Sequence, residues 1–457
     1  MNRQALETIF EAALERVDPV RMVEECVRLD GDTLTVSAGP TDGTADTSAV
    51  RIDLSRFDRI IVVGAGKAGA RMAAGVESVL GDRISEGVVA VKHGHTEPLD
   101  RIELIEAGHP VPDAMSVEAA RRICRLADAA DESTLVLVLI SGGGSALLTL
   151  PYEDDDRAIT LDDIRETTRL LLESGAPIHD INTLRKHLSG ISGGRFCARL
   201  QPATSLSLIL SDVVGDNLES IASGLTTGDP TTFADAAEIT RRYRIADRLP
   251  EPVVRVLADG VAGSIADTPK PGDRSFDRVH NALIGTNALA LDAARARAEA
   301  LGYETVVLTS QITGEAREVA KVLAGIARDT VRGRGIATRP CCILAGGETT
   351  VTIRGDGKGG RNQEFALAML SEIADNPAAF RGVSFLSGAT DGNDGPTDAA
   401  GAFASPSVLR GVRDAGLSIR DALDRNDSYH FFDAVGSLLR TGPTNTNVCD
   451  IQIIVVE

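Results

Sequence analysis

Hydrophobic and polar positions along this chain follow one recurring arrangement: a short apolar run, a turn of small residues, then often an amphipathic stretch. Ile60-Ile61-Val62-Val63 runs into Gly64-Ala65-Gly66-Lys67-Ala68-Gly69, and Leu135 to Ile140 runs into Ser141-Gly142-Gly143-Gly144-Ser145. Leu206 to Leu210 precedes Ser211-Asp212-Val213-Val214-Gly215-Asp216. In the second half, Cys341 to Leu344 precedes Ala345-Gly346-Gly347-Glu348, and Val383 to Leu386 precedes Ser387-Gly388-Ala389-Thr390-Asp391-Gly392. Runs that are apolar throughout, without alternation, are strands buried on both faces, which predicts parallel sheets covered by helices. Ligands of such sheets lie outside the carboxyl ends of the strands, where these loops fall.

The start of the chain, Met1 to Leu29, has the helical period of an amphipathic segment (Ile9, Phe10, Ala13, Leu14, Val17). It lacks the basic start and continuous apolar block of a signal peptide. No apolar run approaches the ~20 residues that span a bilayer. The expectation is a cytoplasmic protein that engages no membrane. The polar stretch Ser37 to Thr47 is a long loop without visible chemistry. A chain of 457 residues exceeds one ordinary core, and the Pro/Gly/charged cluster Thr268-Pro269-Lys270-Pro271-Gly272-Asp273 is the candidate junction. Two α/β domains follow, over residues 1–265 and 274–457, with the helical start over 1–30 free to pack elsewhere.

Composition narrows the partners. The formal net charge of -19, the absence of tryptophan and an aromatic share of 3% argue against nucleic acid. Lysine occurs only at Lys67, Lys92, Lys186, Lys270, Lys321 and Lys358, every other cation being arginine. An Asp-rich, Lys-poor surface fits either adaptation to high salt or GC-rich coding. In either case a lysine inside a glycine-rich loop stands out. The cysteines show no CxxC spacing and lie in apolar surroundings, as buried hydrophobes do in a reducing compartment.

Gly64-Ala65-Gly66-Lys67-Ala68-Gly69 satisfies GxGxxG after a strand, but the next strand ends in Lys92 where a nicotinamide site needs an acid. Nor is the loop a phosphate loop of the Walker type, because Ala68 follows the lysine. Free amides at a helix start, with Lys67 beside them, still suit an anion; tight helix–strand packing with a solvated lysine is the alternative. Ser141-Gly142-Gly143-Gly144-Ser145 exposes amides that can wrap an anion and lacks the pattern of a nucleophile elbow. Arg185 and Lys186 share one turn of a helix anchored by Ile181, Leu184 and Leu188, either as an anion site or as a solvated basic patch. Asp212 and Asp216 offer carboxylates at a strand end, for a proton or a metal. Asp391, Asp394 and Asp398 form the densest acidic loop, which fails the EF-hand spacing but suits Mg²⁺ shared with nucleotide phosphates; a plain Asn/Asp/Gly turn competes. Lys358 and Arg361 sit in Gly357-Lys358-Gly359-Gly360-Arg361-Asn362-Gln363-Glu364, at the opening of a helix from Glu364 to Leu370. Arg361 is well placed there for a carboxylate or phosphate. His109, in Gly108-His109-Pro110, is either a substrate contact or a turn residue.

Taken together, the glycine loops at Gly64 and Ser141, Gly108-His109-Pro110-Val111-Pro112-Asp113, Asn182 to Ser189, and Ser211 to Asp216 resemble the glycerate 2-kinase family. So do Gly346-Gly347-Glu348-Thr349-Thr350, Gly357 to Glu364 and Thr390 to Gly401. The last two look like that family's carboxy-terminal domain, named MOFRL. The resemblance runs from about Leu6 to the final strand, Ile451 to Val456.

It implies a Rossmann-like N-terminal lobe and a MOFRL C-terminal lobe with largely parallel sheets, and an active site in the interdomain cleft. It implies ATP with Mg²⁺ (or another divalent cation), D-glycerate as acceptor and 2-phosphoglycerate as product; the residues themselves leave monomer and homodimer open. By similarity Lys67 and Arg361 match active-site residues, and Asp212 is the acidic candidate beside them. Gly64, Gly66, Ser141 to Ser145, Arg185, Lys186, Glu348 and Lys358 would bind substrate or phosphate, with Asp391 and Asp394 on the metal. The rival readings are an NAD(P)H-dependent hydroxypyruvate reductase, which Lys92 opposes, and a non-catalytic sensor, which leaves the acidic loops without a task.

Overall fold

The structure, a computed structural model, describes residues 2–37 and 49–457. Of the polar stretch 37–47, only Ser37 falls among them. The helical period at the start resolves into two helices, α1 (Arg3–Arg16) and α2 (Pro19–Cys26), because Asp18-Pro19 interrupts it. The chain divides into two units. The first holds residues 19–211 and 216–284; the second holds the segment ending at Asp18, residues 212–215, and 285–457. The change of unit near residue 284 lies beyond the Thr268–Asp273 cluster, which packs inside the first unit.

The first unit is built on a six-stranded sheet. Its strands are β1 (Arg59–Ala65), β2 (Glu86–Lys92), β3 (Ile102–Ala107), β4 (Thr134–Ile140), β5 (Thr204–Leu210) and β6 (Val279–Gly285). Their order is β3-β2-β1-β4-β5-β6, and β1 to β5 run parallel. This order is doubly wound and Rossmann-like, as the family resemblance implies, and the central strands are parallel and buried on both faces, as the continuous apolar runs predict: every residue of β4 is buried. Helices α3 (Gly69–Leu80) and α4 (Ala114–Asp128) pack on the sheet. Further along, α5 (Leu161–Glu173) and α6 (Ile178–His187) join a helical core around Leu170, Leu184, Leu188 and Phe233. A small antiparallel sheet of residues 27–30, 33–36 and 50–53 completes the unit.

The second unit holds α1, α7 (Asn287–Ala300), α8 (Ala316–Val331) and α9 (Arg361–Asp375). Its strands are β7 (Glu304–Ile312), β8 (Cys341–Gly347), β9 (Val383–Ala389), β10 (Gly401–Ala404), β11 (Leu438–Leu439) and β12 (Asp450–Val456). They lie in the order β7-β8-β12-β9-β10-β11. Only β7 and β8 pair in parallel; β12 runs antiparallel between β8 and β9, and β10 and β11 continue antiparallel. The sheet is therefore mixed where the sequence led us to expect a largely parallel one. An unbroken apolar run reports burial on both faces and carries no information on strand direction.

α1 is held by this second unit. Asn2 caps it through Ala5 N–H at 3.2 Å and donates its own N–H to Ser384 Oγ at 2.9 Å. The Arg3 guanidinium lies 4.5 Å from the Phe403 ring centroid, and Leu6, Ile9, Phe10 and Ala13 are buried. All six cysteines are free and buried, as their apolar surroundings suggest.

Candidate active site

The carboxyl ends of β1 and β4 form the switch point of the first sheet, where the strand order reverses. The two glycine loops leave from these ends and are laced together. Lys67 N–H donates to Gly142 O at 2.9 Å, Ala68 N–H to Ser141 Oγ at 3.1 Å, and Ser141 N–H to Ala65 O at 3.2 Å. Gly66 has φ +150°, and a Cβ there would come within 2.0 Å of Ser141 Oγ, so no other residue fits. Gly143, at φ +84°, approaches His109; its Cβ would lie 2.8 Å from the imidazole and 3.4 Å from Lys67 Cγ.

Lys67 is thus surrounded by both loops and His109, two residues ahead of the first residue of α3. Its ammonium has no hydrogen bond or ion pair among the described residues. Burial, and then the charges of Lys67, Lys92 and His95, push the His109 pKa down to about 4, so the ring is neutral near pH 7. His95 is lowered by burial, Lys92 and Lys67.

Ile181, Leu184 and Leu188 anchor α6 in the core, as its spacing predicts. Arg185 and Lys186 have different fates. Lys186 Nζ lies 2.6 Å from Asp229 Oδ1, with side-chain exposures of 3% and 0%. Asp229 also accepts from Thr231 Oγ1 at 2.6 Å and Thr268 Oγ1 at 3.0 Å. Burial would raise the Asp229 carboxyl, but Lys186 and Thr231 hold it below its usual range. Lys186 is committed to this buried pair, which corrects the expectation that it binds substrate or forms a solvated patch. Arg185 touches only Asn182 Oδ1, at 3.5 Å, and has no carboxylate partner among the described residues. Burial alone pulls its pKa down.

In the second unit, Arg361 is the first residue of α9. Its Nε lies 2.5 Å from Asp450 Oδ2, one terminal nitrogen is 2.9 Å from Asp450 Oδ1, and the other is 2.9 Å from Glu348 Oε1. Its guanidinium, expected to be open to a ligand, is already gripped by two carboxylates, which raise its pKa against the effect of burial. Asp450, fully buried at the start of β12, is raised by burial despite Arg361. Glu348 is raised by burial and by Asp450, Asp212 and Asp391, with Arg361 opposing.

Asp394 is a helix cap. Its two oxygens accept the backbone N–H groups of Asn362 and Gln363 at 3.0 and 2.8 Å, and Gln363 Nε2 adds a third bond at 3.0 Å. Burial lifts its pKa to about 6 against the pull of these amides. With both oxygens committed, it does not fit a metal ligand, contrary to the expectation from the acidic loop. Asp391 is half-buried and accepts Asn393 N–H at 3.0 Å, and its other oxygen has no such bond among the described residues. The Lys358 ammonium sits 4.5 Å from the Tyr429 ring centroid, a cation–π contact. Asp212 belongs with the second unit, and its carbonyl accepts Cys449 Sγ at 3.2 Å. Among the described residues no three His, Cys, Asp or Glu side chains converge as a ready-made metal cage.

Sequence reasoning missed Asp450 and Asp229. Asp450 had a usable signal: an acid entering a fully apolar strand must find a cation. Asp229, in a Gly-Asp-Pro turn, had none.

A family model described as a domain of unknown function (DUF4147) matches residues 5–258, and one described as the MOFRL family matches residues 341–450. A glycerate 2-kinase of Pyrococcus horikoshii is 40% identical over 97% of this chain and 95% of its own length. A D-glycerate 2-kinase of Thermotoga maritima is 41% identical over 87% of this chain and 90% of its own. The crystal structure of the glycerate kinase from that organism superposes with a TM-score of 0.84 at 37% identity, covering 99% of each chain. A protein of Agrobacterium vitis named a hydroxypyruvate reductase is 44% identical over 87% of this chain and 87% of its own, so members of one family carry both names. The fold and these likenesses define an ATP-using phosphotransferase. The chain belongs to the glycerate 2-kinase family.

Proposed function

We propose that this chain transfers the γ-phosphoryl group of ATP to the 2-hydroxyl of D-glycerate in the cytoplasm, giving ADP and 2-phosphoglycerate. The observation that carries the reading is Lys67: an unpaired ammonium held between two glycine loops at the switch point of a Rossmann-like sheet. Phosphoryl transfer is mostly positioning and charge neutralisation. Lys67 neutralises the oxygens of the transferring group, and the amides of the Gly142–Gly144 loop add donors. Asp212 takes the proton of the 2-hydroxyl as that oxygen forms its bond to phosphorus and the bond to the ADP oxygen breaks. Arg361, fixed by Asp450, keeps Glu348 in place and offsets the negative charge of the second unit's carboxylates.

Mg²⁺ takes hard oxygen donors and is usually held by one or two carboxylates together with nucleotide phosphates. Asp391 and Glu348 fit that requirement, because the repulsion among the acids here, visible in the raised Glu348, is relieved by a divalent cation, while Asp212 is left as the proton acceptor. When bound, the ion neutralises phosphate charge. The reductase reading is disfavoured by Lys92, which ends β2 where a nicotinamide site places an acid.

The test couples purified protein, ATP, Mg²⁺ and D-glycerate to enolase without phosphoglycerate mutase. Immediate signal is expected. A signal that appears only after mutase is added would mean the 3-phosphate, and NADH oxidation with hydroxypyruvate would return the reductase.

A further inference from the structure

Beside the triglycine loop, wholly inside the first unit, lies a cavity of about 440 Å³. Ser145 and Ser223, whose hydroxyls are 2.7 Å apart, line it together with Arg185 of α6. The remaining wall is mostly apolar. Val111 and Leu172 both line it while 60% and 62% exposed, an unusual degree of exposure for large aliphatic side chains. The slot is braced. Arg165 of α5 donates to Pro112 O at 2.9 and 2.7 Å, tying the helix to the turn that carries Val111.

Resting on the kinase reading above, we infer that this cavity is the nucleoside subsite: the purine of ATP lies between the Val111 turn and α5, and Arg185 meets the phosphate chain on its way to Lys67. Three features favour this occupant. A cavity of this size suits a nucleoside-sized ligand, and a three-carbon acid would fill only a fraction of it. Aliphatic walls suit the faces of a purine and have nothing to offer a small polyhydroxy acid. Arg185 is the cation on this wall without a carboxylate: Arg165 is paired with Asp162 at 2.9 Å and Arg169 with Glu166 at 2.6 Å. An unneutralised, half-buried guanidinium in the same wall as Ser145, the residue that ends the triglycine loop, suits a phosphate.

The experiment is calorimetric titration of full-length protein with a non-hydrolysable ATP analogue and Mg²⁺, without acceptor, on the wild type, Thr168→Trp and Val111→Asp. Thr168 lines the slot from α5, and its replacement fills the space; Val111 is exposed, so its replacement leaves the fold intact. Both variants should weaken analogue binding about tenfold or more, while the KM for glycerate changes less than about twofold. Unchanged nucleotide affinity in both variants, or an effect confined to glycerate, would overturn the inference. Because binding is read without acceptor, the subsite can fail while the kinase reading stands; a wild type that binds no nucleotide would sink the kinase reading itself.

Discussion

The two units carry their charge in opposite ways. In the first, the groups at the functional loops are cations with no carboxylate spent on them: among the described residues Lys67 has no side-chain partner, and Arg185 has only an amide oxygen at 3.5 Å. In the second, one guanidinium serves a crowd of acids, with Arg361 bonded to Asp450 and Glu348, and Asp212 and Asp391 close enough to raise Glu348. A strongly acidic protein can therefore keep a local positive site, provided that the site's cations are left unneutralised and the acids are gathered elsewhere. The first arrangement suits phosphate oxygens; the second suits a divalent cation and a proton acceptor.

The largest effect is expected at Asp450, in the second unit. Asp450→Ala removes the bidentate partner of Arg361 from a fully buried site, and should cost about 3–5 kcal/mol of unfolding free energy in denaturant titrations. If the loss is below about 1 kcal/mol, Arg361 is not held by that pair, and its role as a fixed support must be abandoned.

Asp394 gives a pH signature. Its folded pKa, near 6, stands above the unfolded value of 3.8. The folded state therefore binds more protons between those values, and its contribution is present below pH 3.8 and lost as pH rises through 6. The stability difference between wild type and Asp394→Asn should shift by up to about 3 kcal/mol across that window. A pH-independent difference would remove Asp394 from the account.

In the first unit the expected losses are catalytic. Lys67→Ala should lower kcat on the order of 10²-fold in the enolase-coupled assay, with little change in Tm because no partner is left stranded. A large drop in Tm would reveal a structural lysine. The smallest effect tests the acidic side: Asp391→Asn should raise the Mg²⁺ concentration for half-maximal activity about tenfold, leaving the KM for ATP at saturating Mg²⁺ nearly unchanged. Identical Mg²⁺ titrations would place the cation elsewhere.

Much of the first sheet could be read from its strands, because runs such as Leu135 to Ile140 are apolar at every position and lead into glycine turns. That β1 and β4 are neighbours was not legible, since pairing joins residues about 75 apart, but it is what brings Lys67 and Gly142 together. Adjacent letters also misled. Arg185 and Lys186 look alike in sequence, and a helical turn of 100° per residue sends one to a cavity wall and the other to Asp229. Asp391 and Asp394 stand in one turn-like string, yet Asp394 is consumed by the amides of a helix that begins 33 residues earlier. The antiparallel placing of β12 left no trace in its composition.

That placing has a consequence for how the chain is made. The strand at the heart of the second sheet is the last of its six to leave the ribosome, and it brings Asp450 with it. Until then β8 and β9 have an open seam between them, two unsatisfied strand edges facing an empty lane. The first unit, whose strands are all synthesised by residue 285, can close while the second still waits. Chaperones that shield exposed strand edges would be expected to engage the nascent chain in that interval, and to let go when the final strand slides in and Arg361 meets its acid.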